Sequence, residues 1–201
     1  MDFIDMKHKK IDTNNVEKPE QDMARKYIQP HHVVLELGAR YGTVSCIINK
    51  KLNDKHNQVS VEPDKRVWNS LEINRKNHGC EFHIVKGFVS NKKLSLTNID
   101  DYIDGYASTA VINDNSDIQS FTLQEIKDKY NLQFNVLVAD CEGFLGEFFK
   151  ENPSFYDELE MIMFEADYPD KCDYDHIRKT LVEKGFEAII IGHQNLYKKK
   201  M

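Results

Sequence analysis

The sequence lacks the features that mark several large classes of protein. Its four cysteines stand singly, with no Cys-x-x-Cys spacing that would indicate a zinc site or a redox pair. No apolar run approaches the roughly 20 residues that a membrane-spanning helix needs, and the first residues show no signal-peptide pattern. We therefore expect reduced thiols in a cytoplasmic protein that has no membrane partner.

An excess of positive charge is also missing. The chain has 27 lysines and arginines against 33 aspartates and glutamates, a formal net charge of -6 at pH 7. Proteins that bind nucleic acids usually carry a basic face, so nucleic acid is not the expected partner. With 201 residues and 40% hydrophobic content, we expect one domain over residues 1–201. The sequence leaves the oligomeric state open.

Short β-rich runs alternate with segments of helical period along most of the chain. We predict strands at 32–37, 58–62, 82–87, 134–140, 159–167 and 186–191, and helices at 19–28, 43–52, 64–77, 122–130, 145–151 and 174–184. This alternation predicts an α/β fold, in which a mostly parallel sheet carries helices on both faces. A polar turn within IIIGHQNLYK predicts a final hairpin, and hence an antiparallel last strand.

Two segments stand outside this alternation. Residues 1–18 form an N-terminal extension, and residues 90–121 form a long interval rich in Ser, Asn and Asp. An interval of that length in a compact domain usually serves as a functional cover or a binding loop. Its side chains suited to stacking on a sugar or reading hydroxyl groups are Tyr102, Tyr106, Asn113, Asp114 and Asn115. We therefore expect residues 90–121 to lie on the substrate side.

The stretch HHVVLELGARYGTVSCI, residues 31–47, places an acid and two glycines where a predicted strand becomes a helix. A phosphate-binding turn would read Gly-x-Gly-x-x-Gly or Gly-x4-Gly-Lys-Ser/Thr, and neither pattern occurs. Gly38 and Gly42 would let the backbone approach a ligand closely, while Glu36 offers a carboxylate to a cationic or hydroxyl-bearing group. This combination points to S-adenosylmethionine. The alternative is a tight turn with a helix-capping acid.

Four predicted strands end in acids, at the edge of an open α/β sheet where ligands bind. These acids are Glu36, Glu62, the pair Asp140 and Glu142, and the pair Glu165 and Asp167. Glu62 lies about 20 residues beyond the glycine turn, at the position from which an acid accepts the hydroxyls of a ribose. It could instead cap the helix that follows.

Seven motifs occur in order between residues 33 and 186: VLELGARYG, VSVEPD, NSLEINRKN, FTLQEI, VLVADCEGF, MIMFEAD and LVEKGF. Together they resemble the FkbM family of S-adenosylmethionine-dependent methyltransferases, most specifically in Asp140-x-Glu142-Gly143. The resemblance implies the Rossmann-like class I methyltransferase fold, a seven-stranded sheet whose last strand is antiparallel. It also implies O-methylation, in this family mostly of sugars, glycan termini or natural products. Two positions depart from the family: Glu36 replaces the usual Asp, and Arg40 replaces a small or amide residue.

Pattern and resemblance together indicate one set of cofactor-binding residues: Glu36, Gly38, Arg40, Gly42, Glu62, Pro63, Gly87, Phe88 and Asp140. Gly87 and Phe88 could line the adenine. They could equally be a turn glycine and a packed aromatic ring.

Methyl transfer to a hydroxyl requires removal of the hydroxyl proton, and a carboxylate can accept it. Asp140 ends a hydrophobic strand and is the expected base. Alternatively, Asp140 with Glu165 and Asp167 could hold Mg²⁺ or Mn²⁺, which makes Glu165 a further catalytic candidate. His193, in the predicted hairpin turn, is an alternative base.

The sequence therefore predicts a methyltransferase that moves a methyl group from S-adenosylmethionine to a hydroxyl of a carbohydrate. The alternative of the same fold is an O-methyltransferase of a small-molecule metabolite. A non-catalytic interaction module that keeps the fold is a further alternative. A dinucleotide oxidoreductase is disfavoured because the third glycine of its fingerprint is missing.

Overall fold

The computed structural model describes residues 2–97 and 108–200, so Tyr102 and Tyr106 lie outside the described residues. The helices are α1 (Lys18–Tyr27), α2 (Thr43–Lys51), α3 (Trp68–Asn77), α4 (Leu123–Tyr130), α5 (Leu145–Glu151), α6 (Phe155–Glu158) and α7 (Tyr174–Glu183). The strands are β1 (Val34–Leu37), β2 (Gln58–Glu62), β3 (His83–Lys86), β4 (Phe88–Val89), β5 (Leu94–Leu96), β6 (Ala110–Ile112), β7 (Ser120–Phe121), β8 (Val136–Ala139), β9 (Met161–Glu165), β10 (Phe186–Ile190) and β11 (Gln194–Lys199). Within the described residues, no helix is both long and apolar enough to span a membrane.

Seven of the strands form one sheet in the order β10-β11-β9-β8-β1-β2-β3. β1 pairs in parallel with both β2 and β8. The last strand, β11, runs antiparallel between β9 and β10. The predicted Rossmann-like, mostly parallel seven-stranded sheet with an antiparallel last strand is therefore confirmed. The final hairpin folds back into the sheet, because β11 fills the gap between β9 and the edge strand β10.

The sheet is buried on both faces, as its nearly continuous apolar strands require. On one face Leu35 and Leu37 of β1 belong to a core that also contains side chains of α4, α5, α6 and α7. On the other face Val34 packs with Met23 of α1 and Ile48 of α2. Alternate residues of one strand thus face opposite cores, and the predicted helices on both faces are confirmed.

The predicted elements differ from the observed ones where local contacts or short length override periodicity. The helix predicted from residue 64 begins at Trp68, because Asp64 folds back and accepts from the Arg66 amide at 2.9 Å. The interval 90–121 contains the antiparallel pair β5–β6, and β7 pairs with β4. Strands of two or three residues are too short to show a period of two in sequence, so they were not predicted.

The N-terminal residues pack on α3. The Ile4 amide donates to Asn74 Oδ1, and Asn74 Nδ2 donates back to the Ile4 carbonyl, both at 2.9 Å. The Phe3 ring stacks on His78 with ring centroids 3.8 Å apart. These contacts hold the segment that leads into α1, and they thereby set the position of Glu17, the residue before this helix.

β1 and β8 lie side by side, with Leu37 opposite Ala139 in the register. The helix after β1 packs on one face of the sheet, and the helix after β8 packs on the other. Chain directions that diverge in this way open a crevice at the carboxyl ends of the strands. The residues that enter this crevice directly after the two strands are Gly38 and Asp140.

Gly38 is required by space as well as by backbone conformation. Its φ is +88°, and a Cβ atom would lie 1.7 Å from the carbonyl oxygen of Asp140. We expect Gly38→Ala to lower the free energy of unfolding by roughly 2–5 kcal/mol, the sum of left-handed strain and overpacking. Denaturant unfolding monitored by circular dichroism measures this loss.

Gly185 provides the matched control for this substitution. Its φ is +86°, but among the described residues nothing lies within 4 Å of where its Cβ would be. Gly185→Ala should therefore cost only the backbone strain, about 1–2 kcal/mol. Equal losses for the two variants would mean that the strand ends separate readily at Gly38.

Candidate active site

A turn of five residues joins β1 to α2 and forms the floor of the crevice. Gly38 and Gly42 have left-handed backbone conformations, and so does Arg40 with φ 43°. The Gly38 and Ala39 amides both donate to the Val61 carbonyl, at 3.0 and 3.1 Å. The turn is therefore tied to β2, which keeps its backbone open towards the crevice. Gly42 does not line the crevice, because its α-carbon faces Leu71 of α3.

The larger space at the strand ends, named here the central cavity, encloses about 750 Å³ including its opening to solvent. Seven of the nine predicted cofactor residues line it: Gly38, Arg40, Glu62, Pro63, Gly87, Phe88 and Asp140. The described residues that line it from the 90–121 interval are Leu96, Ser108 and Ala110. The polar residues Asn113, Asp114 and Asn115 are not among the lining residues.

Glu62 is buried at the end of β2, where its carboxylate bridges two turns. Oε2 accepts from the Arg40 amide and Oε1 accepts from the Asp64 amide, each at 2.7 Å. Burial raises its pKa to about 7, although these two amides and the Arg40 charge favour the ionised form. Glu62 does not cap α3, which begins at Trp68 without a side-chain cap; its carboxylate holds two turns together and still lines the central cavity.

A second space, named here the acidic cavity, lies across Gly38 from Glu62. The two cavities share Leu37, Gly38 and Asp140 as lining residues. Five acids line the acidic cavity: Glu17, Glu20, Glu36, Asp140 and Glu165. Sequence reasoning missed Glu17 and Glu20, because they lie at the start of α1 and no strand-end pattern marks them. Only the packing of α1 against α2 brings them to the crevice.

The acids of this cavity are difficult to ionise together. Burial raises the pKa of Glu36 to about 7, although the Ser60 hydroxyl donates to it at 2.5 Å. Burial likewise raises the pKa of Glu17 to about 7, against the opposing effect of its bond from the Thr43 hydroxyl. These acids therefore hold protons near neutral pH, and their arrangement favours a positively charged ligand.

Asp140 lines both cavities at the end of β8. Burial raises its pKa well above the usual value, and the charges of Glu165, Glu17, Glu142 and Asp167 raise it further. A carboxyl group in this position can hold a proton when no ligand is bound. It can release that proton when a positive charge enters.

The predicted metal set of Asp140, Glu165 and Asp167 is not brought together. Among the described residues, Asp140, Glu142 and Asp167 offer oxygens within 4.8 Å of one another. Glu165 instead forms an ion pair with His193. Asp167 Oδ1 already accepts from the Gly143 amide at 3.2 Å and from the Tyr174 hydroxyl at 2.9 Å. These bonds hold the turn after β8 against the loop after β9.

The comparisons with known proteins concern the fold. No protein-family model and no curated protein matches this chain. Among solved structures, a methyltransferase from Pyrococcus furiosus is 14% identical with a TM-score of 0.52, over 91% of this chain and 82% of its own. A precorrin-6y C5,15-methyltransferase from Geobacter metallireducens is 13% identical with a TM-score of 0.56, over 94% and 90%.

These likenesses show that the chain has the Rossmann-like methyltransferase fold. At such identities they show nothing finer, because one fold carries many different reactions. The resemblance to the FkbM family, the hydroxyl acceptor and the roles of single residues therefore stay predictions.

The raised pKa of Glu36 has a measurable effect on stability. Between its unfolded value of 4.5 and its folded value of about 7, the folded state binds more protons than the unfolded state, so stability falls as pH rises. We expect Glu36→Gln to remove this fall. Relative to wild type, its unfolding free energy should increase by roughly 2–4 kcal/mol from pH 4.5 to pH 8. Urea unfolding over this pH range checks the prediction, and a pH-independent difference would contradict it.

Proposed function

We propose that this protein transfers a methyl group from S-adenosylmethionine to a hydroxyl group of a carbohydrate. One observation carries the proposal: two cavities meet at Gly38 and Asp140, and one of them presents Glu62 while the other presents a ring of acids. A ligand that joins a nucleoside to a cationic amino-acid chain matches this arrangement. The fold shared with known methyltransferases agrees with it.

The residues present fit the cofactor. Glu62 is placed to accept the ribose hydroxyls, since a carboxylate oxygen can accept further bonds beyond the amide that each already holds. Gly87 and Phe88 border the central cavity beside Glu62, which suits the adenine. Glu36 lines the acidic cavity. When bound, S-adenosylmethionine would supply an electrophilic methyl group.

Asp140 is the proposed base. Asp140 lines both cavities, so it lies beside the middle of a ligand that would span them. Beside a positive charge its raised pKa would fall, because the ionised form is then stabilised. The ionised carboxylate could accept the proton of the acceptor hydroxyl. Glu165 with His193 is the second candidate base, at the rim of the acidic cavity, where the His193 side chain is 65% exposed.

A metal-assisted mechanism with Mg²⁺ or Mn²⁺ would use different ligands from those predicted. The structure favours Asp140, Glu142 and Asp167, since their oxygens lie within 4.8 Å of one another. Mg²⁺ prefers such oxygen ligands. Asp167 would have to keep its bonds from Gly143 and Tyr174 while also binding the ion.

The carbohydrate acceptor is supported by the polar composition of residues 90–121, which reach the central cavity through Ser108. A small-molecule metabolite is the second candidate acceptor, and Leu96 and Ala110 on the same wall favour it. A cytoplasmic location and the absence of a nucleic-acid partner follow from composition alone. They stay expectations.

S-adenosylhomocysteine should stabilise the folded protein against heat. A ligand that binds only the folded state adds about 2.7 kcal/mol at a hundredfold excess over its Kd. NADH should produce no shift, because the crevice lacks a phosphate-binding turn. Measuring the melting temperature with each ligand shows which of the two cofactor types the protein binds. A shift with NADH alone would support the oxidoreductase alternative instead.

Asp140→Asn should abolish methyl transfer while S-adenosylmethionine remains bound. The amide keeps the shape of the side chain but cannot accept the proton, so a loss of about 10²–10⁴-fold in rate is expected. Activity on a panel of sugars and glycans, followed as transfer of labelled methyl, gives the rate, and calorimetry gives the affinity. A near wild-type rate for Asp140→Asn would shift the assignment to Glu165 and His193.

Chelation of divalent metals distinguishes a mechanism in which Asp140 acts as a base alone from one that is assisted by a metal ion. If Asp140 acts without a metal, EDTA should leave the wild-type rate unchanged. If Asp140, Glu142 and Asp167 hold an ion, EDTA should abolish the activity, Mg²⁺ or Mn²⁺ should restore it, and Glu142→Gln should behave like Asp140→Asn. A wild-type protein that binds the cofactor but methylates none of the acceptors would favour the non-catalytic alternative.

A further inference from the structure

The acidic cavity has a charge imbalance that its own residues do not correct. Five carboxyl groups line it, and none of the described residues lining it is a lysine or an arginine. His193 lies outside, paired with Glu165 and largely exposed. Burial raises the pKa of Glu20, and the nearby charge of Glu165 raises it further. These groups require either protons or a cation between them.

Two oxygen atoms in this cavity also lack a hydrogen-bond donor. Glu20 of α1 and Gln194 of β11 bond to each other through Glu20 Oε1 and Gln194 Nε2. The remaining atoms, Glu20 Oε2 and Gln194 Oε1, are closed off from solvent and have no partner among the described residues. Both residues line the acidic cavity. Buried acceptors without a donor are costly, so a ligand that brings several N–H groups to these residues would offset that cost.

Glu17 faces the same space from a fixed position. Its backbone is left-handed with φ 50°, and its carboxylate accepts from the hydroxyl of Thr43 in the first turn of α2. The preceding segment is held by Gln21, whose side chain donates to the Val16 carbonyl at 2.8 Å. Glu17 is therefore tied to the start of α2, directly after the glycine turn, and lies where a ligand that crosses that turn would meet it.

The walls of the acidic cavity select the kind of cation. Apart from its acids and Gln194, it is lined mainly by apolar side chains, among them Met23, Val44, Met163 and Phe164. A hydrated Mg²⁺ keeps several waters and suits oxygen-lined sites. An ammonium on a short alkyl chain fits better, because its three N–H groups can meet the acids while its carbons contact the apolar walls.

We propose that Glu17 and Glu20 of the α1 region, together with Gln194 of β11, bind the primary ammonium group at the amino-acid end of S-adenosylmethionine. This inference rests on the proposed function, since it assigns one end of the same ligand. It makes the N-terminal segment a wall of the cofactor site. The strand β11, which folds back into the sheet, places Gln194 beside Glu20.

The test compares three ligands that differ only at this end. S-adenosylhomocysteine carries both the ammonium and the carboxylate, decarboxylated S-adenosylhomocysteine keeps the ammonium alone, and methylthioadenosine has neither. Isothermal titration calorimetry on the full chain gives each Kd. We expect Glu20→Gln to weaken binding of the first two ligands by about tenfold to a hundredfold, the loss of one charge-assisted bond. The affinity for methylthioadenosine should not change.

Two further variants keep the test independent of folding effects. Gln194→Leu removes the second unpaired acceptor, which lies on β11. It should also weaken binding of the two ligands that carry the ammonium and leave the affinity for methylthioadenosine unchanged. Asp22→Asn removes an exposed acid of α1 that pairs with Lys18 and Arg25, and it should leave all three affinities unchanged. The methylthioadenosine affinity also shows that each variant is folded at the crevice.

The possible failures are distinguishable. If wild type binds methylthioadenosine as tightly as the two longer ligands, or if Glu20→Gln and Gln194→Leu weaken all three equally, the ammonium subsite is overturned while the cofactor assignment stands. If only the ligand with a carboxylate loses affinity, the subsite recognises the carboxylate and the inference is wrong. If wild type binds none of the three, the proposed function fails and the inference fails with it.

Discussion

The ends of β1 and β8 approach so closely that no side chain fits between them. A Cβ on Gly38 would lie 1.7 Å from the Asp140 carbonyl oxygen, and the Asp140 amide donates to the Leu37 carbonyl at 3.0 Å. This contact joins the two halves of the sheet at the point where the chain changes face. It also leaves backbone in place of side chains between the two cavities, so that one ligand can pass over Gly38 into both.

The acids around this contact are expensive to bury, and the fold compensates for them unequally. Glu62 accepts hydrogen bonds from two backbone amides, and Glu36 accepts one from the Ser60 hydroxyl. Both carboxylates are therefore held in place by the protein itself. Asp140 and Glu20 are less well satisfied, and burial together with neighbouring carboxylates raises their pKa values. Groups left in this state at a cleft are typical of functional sites, because a ligand that supplies the missing charge gains binding energy from them.

The two ends of the chain complete the crevice from outside the predicted strand-end pattern. The first residues pack on α3 through Ile4, and Glu17 bonds to Thr43 at the start of α2. The final hairpin brings Gln194 beside Glu20. Segments that look like an extension and a terminal hairpin in the sequence therefore form one wall of the acidic cavity. The motifs that resemble a methyltransferase family supply Glu36, Asp140 and Glu165 to the same cavity.

The sequence by itself determined the α/β class, the parallel sheet with its antiparallel last strand, and seven residues that line the central cavity. The class follows from local signals, because apolar periodicity, glycine turns and acids after strands depend on neighbours along the chain. The seven-stranded sheet and part of the residue set came from the resemblance to the FkbM family. Tertiary structure alone decided the rest. It paired Glu165 with His193, grouped Asp140 with Glu142 and Asp167, and brought Glu17, Glu20 and Gln194 together. No sequence spacing encodes contacts between residues 20 and 194, because the packing of helix on sheet sets such distances.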